Sequence, residues 1–574
     1  MPTARSARRT SGPTRRTKSK KNPRRATRST TQAAVVAALG LNALLGARTE
    51  YRIYPSIGIA RVGDCEDSFA IGPEAPGVAP SGPFRGTDGG IKPQAARFRI
   101  YKVAIDGNEN ETVIEEIVAR NDIEIEWSVS LANRKAAGFQ IMSTLARKPS
   151  KPRNDGLDRE KLVIAADGSV SGSGTSGPAL AGSIEFAKPG TNGPNVTGIK
   201  LATLRTDEKG RLLVVGGPGK SGSPLSTPIP SFADNDGWYD SVSDGPVSAT
   251  LRIGGQTQPV IPAWVLVTVP RYAPGMYGVV TWYDQAVSMA RTREDGIFDR
   301  PRTTSFVHDI YPILRRADNL SGVHSVAHSN GGLRPLSDAA RIESFESPSK
   351  RMALLKRLTP VATEATDAQE LPPDQTMPDL FSGANPDPNG PAFTYLSLTR
   401  YQMAHVENWA HGNFVDDWDG VPPVPAPFED IPVDRQAWAL TEAALEACVG
   451  GPFYPGIEGT YDMARLATYH PESNLRRELR INPAHSAGFL TEKMALPWQA
   501  DFADCGDFWW PSQRPDDVTT QLGDSVRWDR GVTGRARNAH LNMVSFWSQL
   551  GFVTLDQATS KFIEVERNFG TAIV

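Results

Sequence analysis

Two runs, Val247-Ser-Ala-Thr-Leu-Arg-Ile253 and Ala263-Trp-Val-Leu-Val-Thr-Val269, decide the fold of the first half of this chain. Both are short and dense in β-branched and aromatic residues, which suit a pleated, half-buried surface better than a helix. The same composition recurs upstream in Tyr51-Arg-Ile-Tyr-Pro55, Ala96-Arg-Phe-Arg-Ile-Tyr-Lys-Val103, Ile123-Glu-Ile-Glu-Trp-Ser-Val129 and Gly210-Arg-Leu-Leu-Val-Val215. Turn pairs such as Asp106-Gly107, Asp167-Gly168 and Gly216-Gly217 separate the runs. Residues 50–294 therefore read as a β-rich domain of sandwich-like sheets. Within it, the Gly/Ser-rich stretch 168–182 reads as a flexible surface loop.

Beyond residue 295 the apolar spacing becomes helical, in Asp338 to Leu355, Leu396 to Trp409, Arg435 to Cys448 and Leu541 to Leu550. Long irregular crossings, residues 371–392 and 421–432, divide these pieces. The expected class is α+β, with residues 1–49 a basic arm plus a short apolar segment, 50–294 β-rich, and 295–574 helical and loop-rich.

With 574 residues, 39% hydrophobic content and 12 tryptophans, the chain can bury sizeable cores. The three cysteines, 65, 448 and 505, are odd in number and far apart, which implies no disulfide framework. No CxxC pair or HExxH motif is present, so no metal is expected. The net charge of -2 hides an asymmetry, because eleven Lys and Arg residues fall between Arg5 and Arg28 and the first acid is Glu50. Such an arm is either solvated or touches an anionic surface, and the acidic body argues against a nucleic-acid enzyme. The apolar run Ala33 to Ala47 is too short to span a bilayer. It reads either as the core of an export signal or as a short packed helix, so cytoplasmic residence is expected and export is left open.

Several common signatures fail. Val214-Val-Gly-Gly-Pro-Gly-Lys-Ser221 resembles a phosphate loop, but Val214 occupies the first glycine position and Pro218 removes a backbone donor, so a hairpin turn is expected. There is no G-x-S-x-G elbow. His324 and His328 lie one helical turn apart without a third ligand at suitable spacing, and they read as structural or surface histidines.

The densest gathering of reactive groups is Trp498-Gln-Ala-Asp501-Phe-Ala-Asp-Cys505-Gly-Asp-Phe-Trp509-Trp510-Pro511-Ser-Gln-Arg514-Pro515-Asp516. A thiol, carboxylates and oxidisable indoles are the ingredients of a cofactor made from side chains, since a thiolate is a good nucleophile. Taken alone, the stretch is equally compatible with a buried inert cysteine among core tryptophans.

Five ordered blocks carry a resemblance that covers nearly everything from residue 50 onward: Tyr51 to Gly63, Trp238-Tyr-Asp-Ser-Val-Ser-Asp-Gly-Pro-Val247, Trp264 to Gly275, Cys448-Val-Gly-Gly-Pro-Phe-Tyr-Pro-Gly-Ile-Glu458, and Asp501 to Asp516. Together they resemble the lysine epsilon-oxidase and glycine oxidase family, whose members carry cysteine tryptophylquinone (CTQ). In that family a cysteine is thioether-bonded to a tryptophan oxygenated to an ortho-quinone. The resemblance places the cysteine at Cys505 and an aspartate needed for cofactor formation at Asp501. The ring partner is Trp547, whose setting in Met543-Val-Ser-Phe-Trp547-Ser-Gln-Leu550 best matches the family's terminal block. Trp528 is second choice, in what reads as a more exposed polar setting between Arg527 and Asp529. Cys448, Glu458, Tyr239 and His470 are candidate substrate-pocket residues.

The resemblance implies oxidative deamination of a primary amine of a free amino acid, lysine-like at its epsilon-amine or glycine-like. Dioxygen would be the acceptor, and aldehyde or keto acid, ammonia and hydrogen peroxide the products. It also implies a separate flavoprotein that matures the quinone and a homo-oligomeric assembly. Two other readings stay open: a catalytically silent relative acting as a binding or structural protein, and a quinone-dependent dehydrogenase that passes electrons to a carrier.

Overall fold

The computed structural model describes residues 48–141, 151–320, 322–323, 337, 339–358, 398–450, 458–459, 461–504, 512–533 and 538–568. The basic arm, the apolar run Ala33 to Ala47, His324, His328, residues 371–392 and the stretch from Cys505 to Pro511 lie outside the described residues. The chain divides into two compact units, Met1–Arg48 with Ile105–Glu111, and Thr49–Ala104 with Thr112–Val574. In the first, Asp106 accepts hydrogen bonds from the backbone of Asn108 and Asn110 and closes a tight turn. The second carries everything that follows.

Nine strands form the main path of a 14-stranded sheet: β1 (Ile57–Arg61), β2 (Gln94–Ile105), β3 (Ile123–Asn133), β4 (Ile164–Ser171), β5 (Ser176–Glu185), β6 (Asn195–Thr206), β7 (Leu212–Gly216), β8 (Ser243–Ile253) and β9 (Ala263–Thr268). Their order is β4-β3-β8-β9-β1-β2-β7-β6-β5. β9 is buried along its whole length and runs parallel to β1, pairing Trp264 with Ile57 and Leu266 with Ile59. Its continuous apolar run follows from burial on both faces. Val265 and Val267 enter the main core, while Trp264 and Leu266 meet Trp282, Leu445 and Cys448 on the other side.

The opposed layers expected from the sequence are parts of one curling sheet, and β4 and β5, at opposite ends of the order, come into contact. The stretch 168–182, expected to be a flexible loop, supplies these two strands, with only a short turn between them. Glycine is what permits it. A β-carbon on Gly168 would lie 2.5 Å from Leu180 Cδ2, and one on Gly182 would lie 2.6 Å from the Ala165 carbonyl oxygen. Composition suggested flexibility where the small residues serve close strand packing.

The C-terminal half is helical with long connections. Used below are α1 (Trp282–Ala290), α2 (Tyr311–Leu320), α3 (Arg400–Ala410), α4 (Val433–Glu446), α5 (Trp498–Asp504) and α6 (Ala539–Phe546). α1 and α3 both begin with capping boxes, Thr281 with Asp284 and Thr399 with Gln402. The period expected over Asp338 to Leu355 is two helices, Ala339–Ser344 and Pro348–Arg357, because Pro348 can open a helix and cannot continue one.

The chain entering α5 is held by buried polar groups of the sheet. Lys135 Nζ donates to Asp240 Oδ2 at 2.7 Å and to the Ala495 carbonyl at 2.9 Å, and both side chains are fully buried. The same Asp240 oxygen accepts the Trp498 backbone N–H at 3.1 Å and so caps α5. Asn133 Nδ2 donates to Asp240 Oδ1, Arg153 to the Met494 carbonyl and Asn235 to the Leu496 carbonyl. Nearby, Asp244 gathers Trp264 Nε1, Leu490 N, Thr491 N and Thr491 Oγ1, and burial still pushes its carboxyl up to about 6. Replacing Asp240 by Asn strands the Lys135 ammonium in the interior. Urea unfolding of Asp240→Asn is expected to show a loss of about 3–5 kcal/mol, with much of it recovered in the Asp240→Asn, Lys135→Met double variant. An Asp240→Asn variant as stable as the parent contradicts this.

Candidate active site

α5 and α6 pack together, and the packing brings Trp547 to the residues around Asp501. Trp547 follows α6 in a 3-10 turn, Trp547–Gln549, and is buried at 5% exposure. Its ring meets that of Trp498 edge to face, with centroids 5.3 Å apart at 71°. Asp501 lies one helical turn further along α5, also buried, and its charge favours the ammonium of Lys135 against the desolvation that lowers the lysine's pKa. At the far end of α5, Asp504 pairs with His540 of α6 at 2.9 Å, and this partner helps raise the imidazole's pKa. Cys505 is outside the described residues, one peptide bond beyond Asp504.

The chain returns after residue 511 beside the point where it left. Arg514 Nε donates to the Phe502 carbonyl at 2.8 Å, and the Gln513 carbonyl accepts the Tyr272 backbone N–H. Tyr272 links both helices, since its ring faces Phe502 and its hydroxyl donates to the Trp547 carbonyl at 2.7 Å.

On the other side of Trp547 runs the chain that leaves β7. Gly219, at φ +70, passes so close that a β-carbon there would lie 2.8 Å from Trp547 Cζ2 and 3.1 Å from Cη2. The Gly219 carbonyl accepts Trp498 Nε1 at 3.3 Å and Gln499 Nε2 at 3.0 Å. The expected hairpin at 214–221 is not formed: Val214 to Gly216 end a strand, and the following turn leaves the sheet to cover the indole. Beyond this turn opens a cleft of about 800 Å³ lined by Pro218, Lys220, Tyr239 and Ser241.

The other candidates fall into two groups. Tyr239 joins the cleft, bridging Gly222 through its backbone, and is half-buried. Cys448 and Glu458 form a separate buried cluster with Arg61 and Arg271. Arg61 pairs with Glu458, donates to the Ala447 carbonyl at 2.8 Å and reaches Cys448 Sγ at 3.9 Å. Arg271 also donates to the Ala447 carbonyl, and Glu458 accepts the Val449 N–H at 2.5 Å. Burial pushes the Cys448 thiol well up, aided by Glu458, and the two arginines offset this only in part. His470 sits apart, its Nδ1 accepting the Glu472 N–H and its pKa lowered by burial.

Trp528 corrects the sequence picture: it is fully buried, its Nε1 donates to the Gly551 carbonyl at 2.8 Å, and its ring lies 4.8 Å from Tyr272 under Arg514. Arg514 pairs with Asp529, and Arg567 donates to the Trp528 carbonyl. Sequence reasoning assigned nothing to Lys135, Asp240, Gln499, His540 or Gly219. Gly219 carried a signal in the glycine-rich run that failed as a phosphate loop, while Asp240 and Gln499 lay inside quoted stretches without a role of their own.

The comparisons with known proteins agree with one another. The family described as L-Lysine epsilon oxidase N-terminal matches residues 54–267, and the L-lysine epsilon oxidase C-terminal domain matches residues 379–522. L-lysine 6-oxidase from Marinomonas mediterranea is 24% identical, over 90% of this chain and 89% of its own length. Two crystal structures of the L-Lys epsilon-oxidase from that organism share the fold with TM-score 0.66, covering 90% of this chain and 95% of theirs. One is of the Schiff base intermediate with L-Lys, at 23% identity, and the other is at 22%. On the match of both domains and the near full-length relative, the chain belongs to the L-lysine epsilon-oxidase family, oxidoreductases acting on the CH–NH2 group.

Proposed function

We propose that this protein deaminates a primary amine of a free amino acid oxidatively, using a cysteine tryptophylquinone made from Cys505 and Trp547. The observation that carries the reading is the packing of α5 on Trp547: the helix that leads into Cys505 sets Trp498 against that indole and buries Asp501 one turn away. The described residues fit such a group. Only a glycine can stand at position 219 beside Trp547 Cζ2 and Cη2, and the chain on either side of residues 505–511 is tied back to Phe502 and Tyr272.

When formed, the quinone supplies an electrophilic carbonyl for the amine and a store for two electrons that dioxygen removes as hydrogen peroxide. The chain's own residues do the rest. Asp501 serves as the base: a buried carboxylate one turn from Trp498 on α5, it takes the proton from the carbon bearing nitrogen, and earlier the protons released as the cofactor forms. Trp498, Phe502 and Tyr272 surround the site with aromatic rings and exclude water, which strengthens these charge interactions. The cleft lined by Lys220 and Tyr239, whose wall includes the residues on either side of Gly219, is proposed as the approach for substrate. A flavoprotein matures the quinone, and the enzyme acts as a homo-oligomer.

Protein coexpressed with its partner flavoprotein is expected to release ammonia and peroxide in equal amounts from at least one member of a free amino acid panel in air. Turnover that needs an artificial dye and gives no peroxide would assign a dehydrogenase, and no turnover with a fully formed quinone would reject the amine-oxidising reading. Asp501→Asn coexpressed with the flavoprotein is expected to lower the fraction of protein carrying a formed quinone, and to lower kcat per formed quinone about 10²-fold or more. Parent-like kcat in that variant removes Asp501 as the base.

A further inference from the structure

The Gly216-Gly217-Pro218-Gly219-Lys220-Ser221 run is too constrained to be only a connection. A β-carbon on Gly216 would collide with the Arg61 carbonyl, and one on Gly217 would lie 2.6 Å from the Lys200 carbonyl oxygen and 2.7 Å from that of Leu201. The Gly217 carbonyl accepts the Gly63 N–H at 3.0 Å. On the far side the turn is tied to α5 twice through one side chain: Gln499 Nε2 donates to the Gly219 carbonyl, and Ser221 Oγ donates to Gln499 Oε1 at 2.6 Å. Gly219 is thus fixed from both directions, and what it faces is the benzo edge of Trp547, at Cζ2 and Cη2.

We propose that this turn is the cradle for the oxygenated edge of Trp547, with Gly219 as its positioning residue; the proposal rests on reading Trp547 as the cross-linked ring. An ortho-quinone carries oxygens on two adjacent benzo carbons, and Cζ2 with Cη2 is such a pair. Each ring C–H bond is replaced by a C=O bond, dioxygen supplies the oxygen atoms and takes the electrons, and the hydrogens leave as water. Any side chain at 219 occupies the space beside those carbons and displaces the ring edge from the position it holds against Trp498. The positive φ adds a second demand for glycine, but the contact with the ring is a separate matter from backbone preference. Gly198 isolates the difference: its φ is +68 and a β-carbon there meets nothing within 4 Å.

The test is peptide mass spectrometry, with thermal unfolding alongside, of wild type, Gly219→Ala and Gly198→Ala, each coexpressed with the flavoprotein. The expected result is at least about a tenfold fall in the cross-linked, oxygenated fraction of the Cys505 and Trp547 peptides in Gly219→Ala, since small displacements of reacting groups carry large rate effects. Gly198→Ala should keep the wild-type fraction. Wild-type maturation in a folded Gly219→Ala protein overturns the proposal and leaves the Trp547 reading intact. Wild-type protein with an unmodified Trp547 overturns that reading and the proposal with it. Should Gly219→Ala not fold, Gln499→Ala removes both hydrogen bonds of that side chain to the turn without adding an atom and leaves only the one from Trp498 Nε1; a several-fold lower oxygenated fraction is expected, and an unchanged fraction counts against the cradle.

Discussion

The arrangement depends on one buried ion pair. Lys135 and Asp240 are both withdrawn from water, a transfer that costs several kcal/mol per charge unless every remaining donor and acceptor is occupied. Here they are shared among Asn133, the Ala495 carbonyl and the first N–H of α5. The pair therefore acts as a position marker: α5 can begin at Trp498 and at no neighbouring residue without stranding a charge. From that start, Trp498 meets Trp547, Asp501 falls one turn on, and the helix ends one residue short of Cys505.

Two strand exits carry this precision to the opposite side. Arg61 and Arg271 turn toward Glu458 and the backbone at Ala447, while the next residues, Val62 and Tyr272, turn toward Gly219 and Trp547. The Cys448 cluster and the Trp547 environment are thus built from neighbouring residues of the same two segments. The arginine cluster is thereby a support for the indole's surroundings as much as a candidate wall of a substrate site.

Strands and helices were largely legible in the sequence because their periods are local properties. The run Ala263 to Val269 and the helix over Arg435 to Cys448 needed only composition and spacing. What was misread depended on distant partners. The glycines of 168–182 look like a flexible loop until β4 and β5 are brought together, and Trp528 looks exposed until its ring is seen packed between Tyr272 and Arg514. At the site, the reactive residues themselves stood out by chemical type, but Lys135, Asp240 and Gln499 act through contacts across more than a hundred residues of sequence, and no local pattern announces those. The turn at Gly219 was visible as an unusual glycine run whose use could be stated only once the ring beside it was known.

The central claim is that Trp547 carries a carbonyl-reactive, sulfur-linked ring. Labelling matured protein with phenylhydrazine, digesting it and mapping the adduct tests this directly. The account predicts a single adduct on a covalently joined species containing both Cys505 and Trp547. An adduct on Trp528, or full maturation with a free Cys505 thiol and no adduct, would contradict it.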